Sequence, residues 1–273
     1  MSGELKRVEK PAEGFRRLAK KELSQACKCV AKELKADDQH ETIHQVRTHL
    51  KRLRALLRLI RDYVGPELQR RQNRQLRAIA KLLSPSRDCA VQLATLQKLY
   101  QGCPGRLTVE EFSNAEKEMS DRHARQCGEL AEPGTRLKEK LEAALKPIEN
   151  LPLEGLRKSD LRFGLKQSRR RWRKRYKQAR HSPTNEHLHD WRKSSKDLAS
   201  QLRILRRVTP ESTGKRIARL KKLGEVLGDD HDLATVETTI RQLHPDLFGK
   251  FQTPIREWRA KLQKSAFKLG RKL

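Results

Sequence analysis

The feature that most constrains this chain is a repeat. One stretch reads His44-Gln-Val-Arg47-Thr-His-Leu-Lys51-Arg-Leu53-Arg-Ala-Leu-Leu57-Arg58-Leu-Ile60, and another reads His189-Asp-Trp-Arg192-Lys-Ser-Ser-Lys196-Asp-Leu198-Ala-Ser-Gln-Leu202-Arg203-Ile-Leu205. His, Arg, Lys, Leu, Leu and Arg recur in one order at a constant offset of 145 residues. A second block follows each stretch at an offset of 144, Leu83-Ser-Pro-Ser-Arg-Asp88 and Leu227-Gly-Asp-Asp-His-Asp232. One deletion in the intervening loop reconciles the two offsets. Self-similarity at a long fixed period marks a duplicated structural unit.

The unit is helical. His44, Arg47, Lys51, Arg54 and Arg58 are spaced 3, 4, 3 and 4 residues apart and form one stripe. Val46, Leu50, Leu53, Leu57 and Ile60, spaced 4, 3, 4 and 3, form another. Two residues of offset is about 200° around a helix, so the stripes face opposite ways. In the second copy His189, Arg192, Lys196 and Arg203 repeat the basic stripe, with Ala199 at its fourth position, and Trp191, Leu198, Leu202 and Leu205 supply the apolar side. Ordinary helix surfaces mix signs, because Glu–Lys pairs one turn apart stabilise and like charges oppose. No acidic residue lies between Ile43 and Arg61. A one-sign stripe, built twice and headed each time by His, points to an anionic ligand.

Apolar residues recur at helical spacing along nearly the whole chain, and no run of alternating β-branched residues appears, so the expected fold is all-α. Breakers at Gly65-Pro66, Ser84-Pro85, Gly102 to Gly105, Pro133-Gly134, Pro147 to Pro152, Ser182-Pro183, Pro210, Gly228 and Pro245 divide it into helices. The helix before the second copy is the most basic. Arg157 to Arg180 holds twelve Lys or Arg and one acid, Asp160, with Leu161, Leu165, Trp172 and Tyr176 as its buried side. Arg170 and Arg173 of this helix join Arg17 and Lys20 of the matching early helix as second-tier candidates for the anion. Arg77 and Lys221, which correspond at offset 144, complete that set.

Charge sets the partner class. Lys and Arg number 63 against 34 Asp and Glu, a net charge of +29. A polyanion is implied: nucleic acid, an anionic membrane or a phosphate polymer. Six Phe, three Trp and three Tyr make few platforms for stacking single-stranded bases. No apolar run approaches the length of a membrane span, and Met1 to Phe15 lacks the apolar core of a signal peptide, so a soluble cytoplasmic protein is expected. Cys27, Cys29, Cys89, Cys103 and Cys127 are odd in number and lack C-x-x-C spacing, which suits buried thiols in a reducing compartment. Asp88 and Asp232 stand just before helical runs and read as N-caps, with orienting a basic side chain as the alternative. The dipeptides His189-Asp190 and His231-Asp232 do not read as a metal phosphohydrolase: His189 is explained by its partner His44, and His231 falls where the first copy has Arg87. No nucleotide loop or nucleophile elbow is present. The six histidines without a repeat partner, His40, His49, His123, His181, His187 and His244, read as surface or packing residues.

A duplicated H-x-x-R-x-x-x-K-x-L helix, each followed by an L-x-x-x-[RH]-D block, resembles the CHAD domain, the conserved histidine α-helical domain. The resemblance runs from about Phe15 to Lys268. It implies two pseudo-symmetric helical bundles in a single CHAD-like domain over residues 1–273, with half-repeats at about 15–130 and 157–270 and a connecting segment at about 131–156. Between them it implies a basic groove or pore that binds inorganic polyphosphate, lined by His44, Arg47, Lys51, Arg54, Arg58, His189, Arg192, Lys196 and Arg203. It also suggests association with polyphosphate granules. Some relatives are fused to a catalytic domain marked by E-x-E-x-K, a motif this sequence lacks. The expectation is therefore a binding module without catalysis, cofactor or metal, and the alternative is RNA binding by the same helices.

Overall fold

The structure, a computed structural model, describes residues 3–33, 39–102, 105, 108–128, 133–209 and 214–273. Its helices are α1 (Pro11–Glu33), α2 (Gln39–Leu59), α3 (Arg61–Val64), α4 (Pro66–Leu82), α5 (Ser84–Gly102), α6 (Val109–Gly128), α7 (Pro133–Ala143), α8 (Leu145–Glu149), α9 (Lys158–His181), α10 (Asn185–Ile204), α11 (Gly214–Leu243) and α12 (Phe248–Gly270). No strand occurs among the described residues, so the fold is all-α. The two His-headed stretches are α2 and α10. A long helix precedes each (α1, α9), and a long path of helix follows each: α4, α5 and α6 in one half, α11 and α12 in the other.

The apolar stripes make the core. Val46, Leu50, Leu53, Leu57 and Ile60 are at most 1% exposed, and Trp191, Leu198, Leu202 and Leu205 at most 2%. Burying each such side chain contributes roughly 2 kcal/mol, enough to hold the helices in spite of their like charges. The main apolar cluster joins α1, α2, α7, α9, α10 and the first part of α11. A smaller one joins α5 and α6 to the later part of α11 and to α12 through Leu96, Leu99, Met119, Val236, Ile240 and Phe251. An aromatic group, Trp172, Tyr176, Trp191 and Phe267, packs α9, α10 and the end of α12, and Trp172 Nε1 donates to Ser195 Oγ at 2.9 Å.

The two halves meet where α2 lies against α9 and α10. Gly164 of α9 is seated on the backbone of Leu59 of α2, so close that a methyl group there would overlap the Leu59 carbonyl oxygen. Gln201 Nε2 of α10 donates to the Ala55 carbonyl of α2 at 3.1 Å, both residues fully buried. Helices this close exclude water and fix one docking angle.

Local signals were partly misleading. Gly228 breaks nothing, because α11 runs unbroken for 30 residues from Gly214 to Leu243. Asp232 consequently lies inside α11 and is no N-cap, and Asp88 is the fifth residue of α5, its side chain outside the described residues. The real caps are elsewhere. Thr184 Oγ1 accepts from the His187 amide at 3.2 Å, Asp160 Oδ2 from the Arg157 amide at 2.8 Å, and Thr108 and Glu111 close a reciprocal box. Two residues before Asp232, Asp230 is only 2% exposed and accepts from Arg259 Nε at 3.1 Å and Gln263 Nε2 at 2.9 Å, tying α11 to α12. Cys27 and Cys29 are half-buried rather than buried, and burial pushes the Cys27 thiol up. The other three thiols lie outside the described side chains. Among the unpartnered histidines, His49 meets Glu22 at 2.6 Å and His244 meets Glu118 at 3.0 Å, packing roles that suit their lack of a repeat partner.

Candidate anion-binding site

The basic stripe of α10 does not simply face solvent; it runs along α11. The two helices are antiparallel, and residue i of α10 meets residue 420 − i of α11 at three places. The His189 ring contacts the His231 ring at 4.3 Å between centroids. The Arg192 guanidinium crosses Gly228, whose missing Cβ would stand 3.3 Å from Arg192 Nε and Nη2. The Lys196 stem crosses Gly224, where a Cβ would stand 3.1 Å from Cγ. Glycines four residues apart thus form a trough that the two cations cross, and Lys196 is exposed. Continued one turn, the same register sets exposed Lys221 across from Ala199. The stripe that is interrupted at Ala199 on α10 gains a cation there from α11.

His189 is neutral in this setting. Burial pushes its pKa down to about 4, and His231, Lys193 and Arg192 push the same way against Asp190. Burial is the largest of these causes. The His189 Nδ1 is buried and has no hydrogen-bond partner among the described residues.

On α2 the stripe is tied to other helices instead. Arg47 Nη1 donates to the Ala80 carbonyl of α4 at 3.1 Å, and Arg54 Nε to Asn73 Oδ1 of α4 at 2.8 Å. Arg58 Nη1 meets Asp197 Oδ1 of α10 at 2.6 Å. His44 and Lys51 are exposed. Asp197 faces three guanidiniums, those of Arg58, Arg54 and Arg171 of α9, and Asp62 also reaches Arg171. Burial pushes the Asp197 carboxyl up against the pull of these cations. Burial also lowers Arg54 to about 10, helped by Arg58 and Arg77, and lowers Arg171, helped by Arg58 and Arg61. Positive charge therefore exceeds negative in a half-buried place where α2, α9 and α10 meet. Such a place is stabilised by a further anion.

Other candidates fall differently. Arg17 is held by Glu9 at 2.6 and 2.8 Å and by the Glu4 carbonyl at 3.0 Å, so it anchors the N-terminal segment and does not join the stripe. Lys20 and Arg203 are exposed, and Arg77 is exposed on α4 within reach of the Arg54 field. Arg170 and Arg173 are exposed on the side of α9 away from its buried face, while Arg171 between them turns toward α2. The sequence reading missed Arg171, Asp197 and the glycine trough. The trough had a signal: Ala80 and Ser84 stand where Gly224 and Gly228 stand at offset 144, so small residues recur at both places.

The packing order closes on itself: α2 touches α10, α10 touches α11, α11 touches α5, and α5 returns to α4 and α2. Among the described residues no three His, Cys, Asp or Glu side chains gather closely enough to hold a metal ion. No helix among them is long and apolar enough to cross a membrane.

The closed circuit of helices carries two cationic stripes, a wholly helical architecture with its cations gathered on facing elements. The family model that matches it is the CHAD domain, over residues 17–241, and the chain belongs to that family. Two solved structures share its fold. One is the CHAD domain from the plant Ricinus communis, 22% identical, with a TM-score of 0.69 over 98% of this chain and 91% of that one. The other is PptA from Streptomyces chartreusis, 11% identical, with a TM-score of 0.72 over 97% of this chain and 100% of that one. Among curated protein sequences, none matches the chain.

Proposed function

We propose that this protein binds inorganic polyphosphate, without catalysis, in a groove lined by the α2 and α10 stripes and completed by Arg77, Arg171 and Lys221. The observation that carries the reading is the half-buried group of Arg54, Arg58 and Arg171 with Asp197 between them, flanked by both stripes. Arg offers forked bonds to two phosphate oxygens and Lys a mobile point charge, and each contact releases counterions condensed on the polymer. A polymer without bases needs no stacking platforms, which suits a chain with 4% aromatic residues. The half-repeats are read as pseudo-symmetric jaws of this groove, and attachment to cytoplasmic polyphosphate granules follows from the same affinity.

The test is capture on immobilised polyphosphate beside RNA and DNA controls, for wild type and for two charge reversals, Arg47→Glu with Lys51→Glu and Arg192→Glu with Lys196→Glu. The polymer should retain wild type against excess RNA at moderate salt. Each reversal should abolish capture while leaving the helical circular dichroism unchanged. Capture that survives both reversals overturns the groove, and displacement by RNA transfers the site to nucleic acid.

A further inference from the structure

Helix α9 carries more positive charge than the groove uses. Its buried side is Leu161, Gly164, Leu165, Ser168, Trp172 and Ala179. On the opposite side Lys166, Arg170, Arg173, Lys177 and Arg180 are exposed and spaced 4, 3, 4 and 3 residues apart. That is a straight row of about 21 Å at 1.5 Å per residue. None of the five makes a hydrogen bond or ion pair with any described residue. The one acid of the helix, Asp160, is occupied as the cap at its start. A solvated face would mix signs, as α6 does with Glu110, Glu116, Lys117 and Glu118.

The row is also continuous with the proposed groove. Residues on a helix advance by about 100°, so from Arg171, which faces the Arg58 group, the surface passes through Lys174 to Arg170 and Lys177 with no acid between them. We infer that the outer face of α9 is an external track for the same phosphate polymer, engaged only by chains long enough to leave the groove. A flexible linear anion can follow a straight row of cations. A nucleic-acid duplex curves away from one, and the row offers no aromatic faces on which bases could stack. An anionic bilayer would need apolar insertion, and α9 exposes only Phe163 near one end.

The inference rests on the polyphosphate reading but fails separately from it. Binding of a short oligophosphate, a long polyphosphate and an RNA of equal charge is measured across a salt series for wild type and for Arg170→Gln, Arg173→Gln and Lys177→Gln combined. These side chains are exposed, so the fold should persist, and the melting temperature checks it. The long polymer should bind the variant about tenfold more weakly or worse, with its salt slope shallower by about 2, the amount expected for three neutralised contacts on a single strand. The short oligophosphate should bind both proteins alike. Equal losses for short and long chains would make α9 a distant contributor to the groove field and overturn the track. No loss for either chain, or a loss confined to RNA, overturns it as well. If wild type binds only the long chain and the variant loses it, the track stands and the groove falls.

Discussion

The two halves carry the same stripe on different supports. In the first, α4 ends at Leu82 and α5 begins at Ser84, and the stripe of α2 is strapped to α4 and α10 by Arg47, Arg54 and Arg58. In the second, α11 is one helix of 30 residues, and Arg192 and Lys196 cross it over glycines. The first half thus collects guanidiniums around Asp197, whereas the second lays a His, an Arg and a Lys along a stiff rod. Position 197 shows the divergence most sharply, since the equivalent residue at offset 145 is Arg52, which pairs at 3.8 Å with Glu22. An acid in one copy answers the arginines of the other. The stripes match in sequence, and the one position where a cation faces an anion lets two otherwise like-charged faces touch.

The contact that lets them touch is Gly164, and its loss should have the largest effect. Gly164→Ala would gain about 1 kcal/mol of helix propensity. It would also drive a methyl group into the Leu59 carbonyl, which can yield only if α9 and α2 separate. The net expectation is a loss of about 3 kcal/mol in urea unfolding, at the upper end for overpacking. Gly249→Ala on α12, with nothing within 4 Å of the new Cβ, is the control and should be neutral or better. Equal stability of both variants would show that the halves are not seated backbone to backbone.

Periodicity could be read before any coordinates because it is local: both apolar stripes are buried throughout, from Val46 to Ile60 and from Trp191 to Leu205. What a single helix cannot reveal is which element faces its basic stripe. Gly228 looks like a breaker along the chain and acts as a trough only because Arg192 lies over it. Arg170, Arg171 and Arg173 are equivalent by composition, yet one residue of rotation sends Arg171 toward Asp197 and leaves the others in solvent. Arg17 fits the pattern of a ligand and is claimed by Glu9, a residue outside any helix. Asp197 interrupts a basic run and was therefore easy to pass over, although its charge joins the halves.

The histidine of the second stripe makes the fold acid-sensitive. His189 is half-buried against His231. Because the native state holds the His189 proton more weakly than the unfolded chain does, its contribution is complete above the ordinary value of 6.5 and is lost as pH falls toward about 4. After allowing for partial solvation, the loss is about 2 kcal/mol. The measurement is the stability difference between wild type and His189→Gln, followed from pH 7 to pH 4. That difference should change across the window. A flat difference would mean that His189 is well solvated.

The smallest effect tests whether the trough itself matters. Gly224→Ala with Gly228→Ala gives α11 the small side chains that α4 and α5 have at Ala80 and Ser84. Each substitution should add up to about 1 kcal/mol to the helix. Each new methyl group also stands 3.1 to 3.3 Å from Lys196 or Arg192, so those side chains must shift by a few tenths of an ångström. They are long and can do so, which keeps the fold intact while moving two cations off their line. Stability should therefore hold or rise, and affinity for polyphosphate should fall by about fivefold, the order of one weakened charge-assisted hydrogen bond. The mirror change, Ala80→Gly, should lower stability by about 1 kcal/mol and leave affinity alone, because Arg47 bonds the backbone carbonyl and not the methyl group. Titration calorimetry and urea unfolding on the two variants read both quantities. A double-alanine protein that binds like wild type would show that the glycines serve helix packing alone, and that the second stripe tolerates the same support as the first.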